Sequence, residues 1–226
     1  MSLILSLETS THVCSVALHD DGKLITSREV HTPQSHATRL APMIDEVRQE
    51  AGIDLRELQA VAVASGPGSY TGLRIGVSTA KALCYTLQVP LIAVGTLDVM
   101  ASQIAPLQPP EALLCPMIDA RRMEVYCQIT TPALKIIQPV EAKIIDDTSF
   151  ADLLEKHHIV FFGDGAAKCK AVINHPHALF VEDIAPLASA LGVLAHARFQ
   201  ERRVEDLVHF EPFYLKDFLI KKPAGQ

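Results

Sequence analysis

The chain has 226 residues, of which 49% are hydrophobic and 20% charged, and its formal net charge is −6. That much apolar side chain can build one large core or two small ones, which excludes a disordered chain, a collagen-like repeat and a disulfide miniprotein. The acidic excess is spread over both halves, so neither reads as a basic nucleic-acid module.

The first apolar run, Leu3–Glu8, predicts a buried strand; it lacks a basic flank and is too short for a signal peptide or a membrane span. Residues 13–19 and 24–30 follow as strands, joined by the turn signal Asp20-Asp21-Gly22-Lys23. From Ser35 the period lengthens. Leu40, Met43, Ile44 and Val47 mark a helix ending near Ala51-Gly52, in which Pro42 predicts a kink or a later start. Residues 60–64 read as a strand, followed by the loop Ser65-Gly66-Pro67-Gly68-Ser69-Tyr70-Thr71-Gly72. A helix over about 73–87, a strand over 91–94 and a short helix over 96–104 complete the order βββαβα plus one helix.

Pro106, Pro109 and Pro110 then suit neither a helix nor a central strand, so a first domain is expected over residues 1–105 and a second over 106–226. The order begins again. Strands are predicted over 113–119, 124–130 (across Arg121-Arg122) and about 135–145, then a helix over 146–157, a strand over 159–162 and a helix over 166–173. A helix over 188–203 carries Leu187, Leu191, Leu194 and Ala195, and an extended aromatic tail covers 210–215. Two βββαβα units with flanking helices predict an α/β fold of two actin-like, or ribonuclease-H-like, domains, each built on a mixed sheet.

Such paired domains usually clamp a nucleotide. Glu8-Thr9-Ser10 at the end of the first strand and the loop with Gly66, Gly68 and Ser69 supply parts of a phosphate site, although the loop matches neither G-x-G-x-x-G nor a P-loop. A tight strand–helix turn accounts for the same glycines. Gly72, Gly76, Ala80 and Cys84 recur every four residues, so one helix face is small. It packs on its own sheet, or one face packs inward while the other meets a partner helix. No G-x-S-x-G or H-E-x-x-H is present. The scattered cysteines Cys14, Cys84, Cys115, Cys127 and Cys169 read as buried thiols of a cytosolic protein, and His157-His158 and His175-x-His177 lack further ligands for zinc. Asp164, between Gly163 and Gly165, reads as a helix N-cap.

The stretch Ser65-Gly66-Pro67-Gly68-Ser69-Tyr70-Thr71-Gly72-Leu73-Arg74-Ile75-Gly76 resembles the S-G-P-G-S-F-T-G-L-R-I-G signature of the TsaB (YeaZ) family. Ile4-Leu5-Ser6-Leu7-Glu8-Thr9-Ser10 is similar to its opening I-L-A-I-D-T-S, with Glu8 where Asp is usual. Residues 36–44, Arg121-Arg122-Met123-Glu124-Val125-Tyr126, Gly163-Asp164-Gly165 and Pro212-Phe213-Tyr214-Leu215 fall in the family's order, so the resemblance covers essentially the whole chain.

The resemblance implies a cytoplasmic subunit, with no catalytic residues, metal or cofactor of its own. It implies a role in transferring the threonylcarbamoyl group from threonylcarbamoyl-adenylate to the adenosine following the anticodon of tRNAs that read codons starting with A. The implied partners are the catalytic subunit TsaD and the ATPase TsaE, with a homodimer when alone, tRNA met only through the complex, and no membrane. In TsaD relatives an H-x-x-x-H pair holds a metal; Thr96 and Met100 stand at those places here. Glu8, Thr9, Ser10, Gly66, Gly68 and Ser69 would be a vestigial nucleotide site. The expected partner interface is His36, Leu40, Met43, Ile44, Val47, Gly72, Leu73, Gly76, Val77, Ala80 and Leu83. The competing reading is an ATP- or metal-dependent enzyme on this fold, either a TsaD-like transferase or peptidase or a small kinase.

Overall fold

The computed structural model describes residues 2–32 and 35–215. The first sheet contains β1 (Leu3–Glu8), β2 (Cys14–Asp20), β3 (Lys23–Val30), β4 (Ala60–Ala64) and β5 (Leu91–Val94), in the order β3-β2-β1-β4-β5. The second contains β6 (Leu113–Asp119), β7 (Glu124–Thr130), β8 (Ile136–Ile144), β9 (Ile159–Phe162) and β10 (Ala178–Val181), in the order β10-β9-β6-β7-β8. Each is an antiparallel three-strand meander extended by two parallel strands, so the halves share one topology. The Asp21-Gly22 turn has φ of 46° and 77°, the positive pair that a two-residue hairpin demands.

Every residue of β1 and β4 is buried, because the first sheet is covered on both faces. On one face Leu3, Leu5, Leu7, Val61 and Val63 pack against α1 (His36–Ala51) and α2 (Tyr70–Leu87). On the other, Ile4, Ala60, Ala62 and Ala64 meet Leu191 and Ala195 of α6 (Ala188–Gln200). Thus α6, which follows the second sheet in the chain, closes the first. His19 Nε2 donates to Ser189 O (2.9 Å) and Ala188 N to Ser15 Oγ (2.9 Å), fixing the helix on β2. Reciprocally, Leu97, Met100, Ala101 and Ile104 of α3 (Thr96–Ile104) cluster with Leu114, Ile118, Val160 and Phe162 of the second sheet. The division expected at residue 105 falls between the sheets, while the helix that covers each comes from across it.

Several predicted elements differ in extent. Strand β10 was not anticipated, since Ala178–Val181 is four residues and none is fully buried. The helix expected over 146–157 is only α4 (Ala151–Leu154): Asp146 Oδ1 accepts from Thr148 N and the Ser149 hydroxyl, holding a turn in place of a helical entry. The helix over 166–173 contracts to α5 (Ala166–Cys169). Helix α1 runs through Pro42 from His36. Pro42 lies on the exposed face, where water can serve the carbonyl deprived of its donor.

The α6 contact predicts a mutational cost. Leu191→Ala should destabilise the protein by about 2–5 kcal/mol, the range for an emptied core leucine, with the loss read by urea unfolding. A change under about 1 kcal/mol would mean that α6 is dispensable to the first sheet.

Candidate functional site

The turn after β1 is the centre of the candidate site. Ser10 N donates to Glu8 Oε1 (2.6 Å), so the acid folds the chain back on itself. The loop after β4 lies against this turn: Ser69 N donates to Ser10 O (2.6 Å) and the Thr9 hydroxyl donates to Gly72 O (2.8 Å). Ser69 caps α2, its Oγ accepting from Gly72 N (3.3 Å). Three glycines make the approach possible. A Cβ on Gly68 would stand 2.3 Å from Ser10 O, on Gly72 2.1 Å from Thr9 O, and on Gly76 2.2 Å from Thr9 Oγ1. The small face of α2 is therefore its inward face, and Glu8, Thr9 and Ser10 are all buried beneath it.

Glu8 is fully enclosed, and its Oε2 has no hydrogen-bond partner; the same holds for Ser6 Oγ and Ser10 Oγ. Desolvation is the main influence on the carboxyl and pushes it up to about 7 against the opposing hydrogen bonds from Ser10 and Thr9. The extra methylene of Glu relative to the Asp of the family pattern lets its carboxylate reach back to Ser10 N within this turn.

The structure corrects the expected phosphate site. Gly68 and Ser69 do reach the Glu8–Ser10 turn, but they lie against its main chain and leave no cradle above it. Gly66, with φ of +107°, faces the main chain of Phe213 instead, 2.7 Å from its own Cβ position to Phe213 O. Between the domains, the crevice lined by Thr11, His12, Met100, Asp164, Ile184 and Pro186 holds about 10 Å³, room for about one water molecule. Thr96 and Met100 are both buried. Thr96 N donates to Gly66 O (2.9 Å), and the Met100 methyl lies 2.4 Å from where a Cβ on Gly163 would be. A thioether packed on a turn thus fills the second of the two positions where relatives carry a ligand pair.

The expected interface also needs correction. His36, Leu40, Met43, Ile44, Val47, Gly72, Leu73, Gly76, Val77 and Ala80 are buried within the chain itself, because their helical faces turn toward β1, β2 and β4. Of the expected set only Leu83 is half-exposed. It borders an open groove of about 490 Å³ with Leu55, Ser78, Thr79, Ala82, Thr86 and Leu87. The sequence held a signal for this surface. Ser78, Ala82 and Thr86 recur every four residues away from the glycine stripe, an uncharged and outward α2 face.

Other expectations resolve structurally. Asp164 does not cap α5; its Oδ1 accepts from Asp119 N (2.9 Å) at the end of β6. Asp119 is exposed and pairs with Lys168, so it is no counterpart of the enclosed Glu8. The rings of His158, His175 and His177 come together, at 4.3 and 5.2 Å between centroids. Among the described residues no group of three His, Cys, Asp or Glu side chains is placed to hold a metal, and all five cysteines are buried free thiols. No helix among these residues is long and apolar enough to cross a membrane.

Two sheets of identical topology, joined by exchanged helices and with the first-domain phosphate turn covered by its own helix, define a two-domain actin-like protein. The family model described as TsaD, tRNA N6-adenosine threonylcarbamoyltransferase, matches residues 25–224. The chain belongs to this family, and within it to the TsaB (YeaZ) group. It is 39% identical over 123 residues to the tRNA threonylcarbamoyladenosine biosynthesis protein TsaB of Escherichia coli, covering 54% of this chain and 52% of that one. Its identity to the TsaB of Haemophilus influenzae is 38% over 123 residues, covering 54% and 51%. The chain thus spans about half the length of the curated relatives it matches. The solved YeaZ of Pseudomonas aeruginosa superposes with a TM-score of 0.80 at 28% identity, covering 95% of this chain and all of that one.

Two predictions follow the buried turn. Gly76→Ala should cost about 1–3 kcal/mol or more by overpacking against Thr9, read as a lowered urea midpoint; an unchanged midpoint would refute the close approach. For Glu8, the unfolded carboxyl near 4.5 releases its proton before the folded one at about 7. Its contribution is therefore intact below about pH 4.5, declines between pH 4.5 and 7, and levels off above. The total loss is on the order of 3 kcal/mol. Glu8→Gln cannot ionise, so its stability relative to wild type should rise across that window in denaturation curves taken at pH 4.5, 6 and 8.

Proposed function

We propose that the chain is a non-catalytic partner subunit in the biosynthesis of threonylcarbamoyladenosine in tRNA. It would support a TsaD-type transferase, with a TsaE-type ATPase, in moving the threonylcarbamoyl group onto the adenosine after the anticodon. The observation that carries this reading is the contact of Gly68, Gly72 and Gly76 with Thr9 and Ser10. It commits the site where an actin-like protein would meet phosphate to internal packing. The side chains of Thr96 and Met100 support the same reading, since neither is a usual ligand where relatives carry a histidine pair.

The remaining asset is a surface. The α2 groove is bordered by small and apolar side chains and lies outside the helix's own core, which suits a helix of a sister chain of this fold. The same face would serve a homodimer when no sister is present. A metal- or ATP-dependent enzyme on this fold is the competing reading. It requires phosphate to reach Thr9 and Ser10, which α2 covers.

Ala82→Arg puts a long cation on an exposed groove position without touching the core. We expect a folded protein with unchanged circular dichroism, loss of binding to a TsaD-type subunit by at least about tenfold, and loss of modified tRNA in a reconstituted reaction. Wild-type binding by this variant would remove the docking surface. Calorimetry with ATP and magnesium on the isolated chain should show no tight binding, whereas micromolar binding with turnover would favour the enzyme.

A further inference from the structure

After α6 the chain does not leave the first domain. Glu205 N donates to Leu91 O (2.9 Å) at the edge of β5, and Leu207 and Phe210 pack against the first core. The segment then runs along α2. Lys81 Nζ donates to Val208 O and to Phe210 O, both at 3.1 Å. Phe213 N donates to Ser65 O (2.7 Å), and Phe213 O sits against Gly66 so closely that only glycine fits there. The Tyr214 ring lies 4.9 Å from that of Tyr70, with the Arg74 guanidinium also 4.9 Å from the Tyr70 centroid.

Tyr70, Arg74 and Lys81 fall on one side of α2, at i, i+4 and i+11, beside the face that carries Ser78, Ala82 and Thr86. An ammonium has three donors, and two of those of Lys81 go to main-chain carbonyls of the segment. Its bonds therefore fasten a strap rather than complete a side-chain ion pair. The strap also adds apolar surface next to the groove. Val208 is 78% exposed, Phe213 48%, and Tyr85, one turn beyond Lys81, 71%. Scattered exposed apolar residues are ordinary, but these adjoin an uncharged groove along the same helix.

We propose that residues 207–214 form the second wall of the docking surface on α2, with Lys81 as the positioning residue that holds the strap in place. The occupant is a helix of a sister chain of this fold, which would seat in the groove and meet the strap along its edge. This inference rests on the docking reading above and adds to it the part played by the segment after α6.

The full-length chain tests it, with amide hydrogen exchange at Phe213 and affinity for a TsaD-type subunit as separate readouts. Lys81→Met keeps the alkyl stem and removes the donors. We expect Phe213 exchange to accelerate at least tenfold and subunit affinity to fall about tenfold, with Lys81→Arg restoring both. Unchanged Phe213 exchange, or accelerated exchange with wild-type affinity, would overturn the inference. Ala82→Arg, measured in parallel, separates the two ideas. If it abolishes binding while Lys81→Met does not, only the strap is wrong; if it binds as wild type, the docking reading fails and the strap goes with it.

Discussion

The approach of α2 to the turn after β1 is the constraint around which this protein is arranged. Side chains at positions 68, 72 and 76 would collide with Thr9 or Ser10 at 2.1–2.3 Å, so the helix can sit where it does only because it offers backbone there. In exchange it gains the Ser69–Ser10 and Thr9–Gly72 hydrogen bonds and shields the sheet around Val63. Glycine weakens a helix interior by roughly 0.5–1 kcal/mol relative to alanine. The cost is met by closeness to the sheet, and an alanine could not deliver the same contact.

That packing has chemical consequences. A turn that would otherwise present main-chain N–H groups to phosphate is lined by α2, and its acid is enclosed with one oxygen unpaired. A carboxyl in such a place favours its neutral form near neutral pH, the opposite of what metal coordination by an acid needs. The crevice between the domains is narrowed from the other side by Met100, which rests on the Gly163 turn. The exposed side of α2 stays uncharged between Leu55 and Leu87, and this asymmetry of one helix underlies the proposed role as a docking subunit.

The two domains are coupled by more than a linker. Helix α6 closes the first sheet through Leu191 and Ala195, and α3 closes the second through Leu97 and Ile104. Neither sheet has both faces covered without a helix from the other half of the chain. The tail after α6 continues the exchange, passing β5 and α2 before residue 215. Elements from the end of the chain thus support the helix that the proposed partner would meet.

Much of this was legible in the residues. Alternation and apolar runs located nine of the ten strands. The Asp21-Gly22 turn, the proline cluster after residue 105 and the βββαβα repeat pointed to the paired actin-like halves. The spacing of Gly72, Gly76, Ala80 and Cys84 showed that one side of α2 was small. A linear pattern fixes which residues share a helical face, because the helix repeat is local, but it does not say what that face meets. Only the tertiary structure turned the small face inward onto Thr9, removed Leu40, Met43 and Val47 from any docking surface, and drew α6 and the tail back over the first sheet. Those outcomes depend on contacts between residues more than a hundred positions apart, for which no local period leaves a trace.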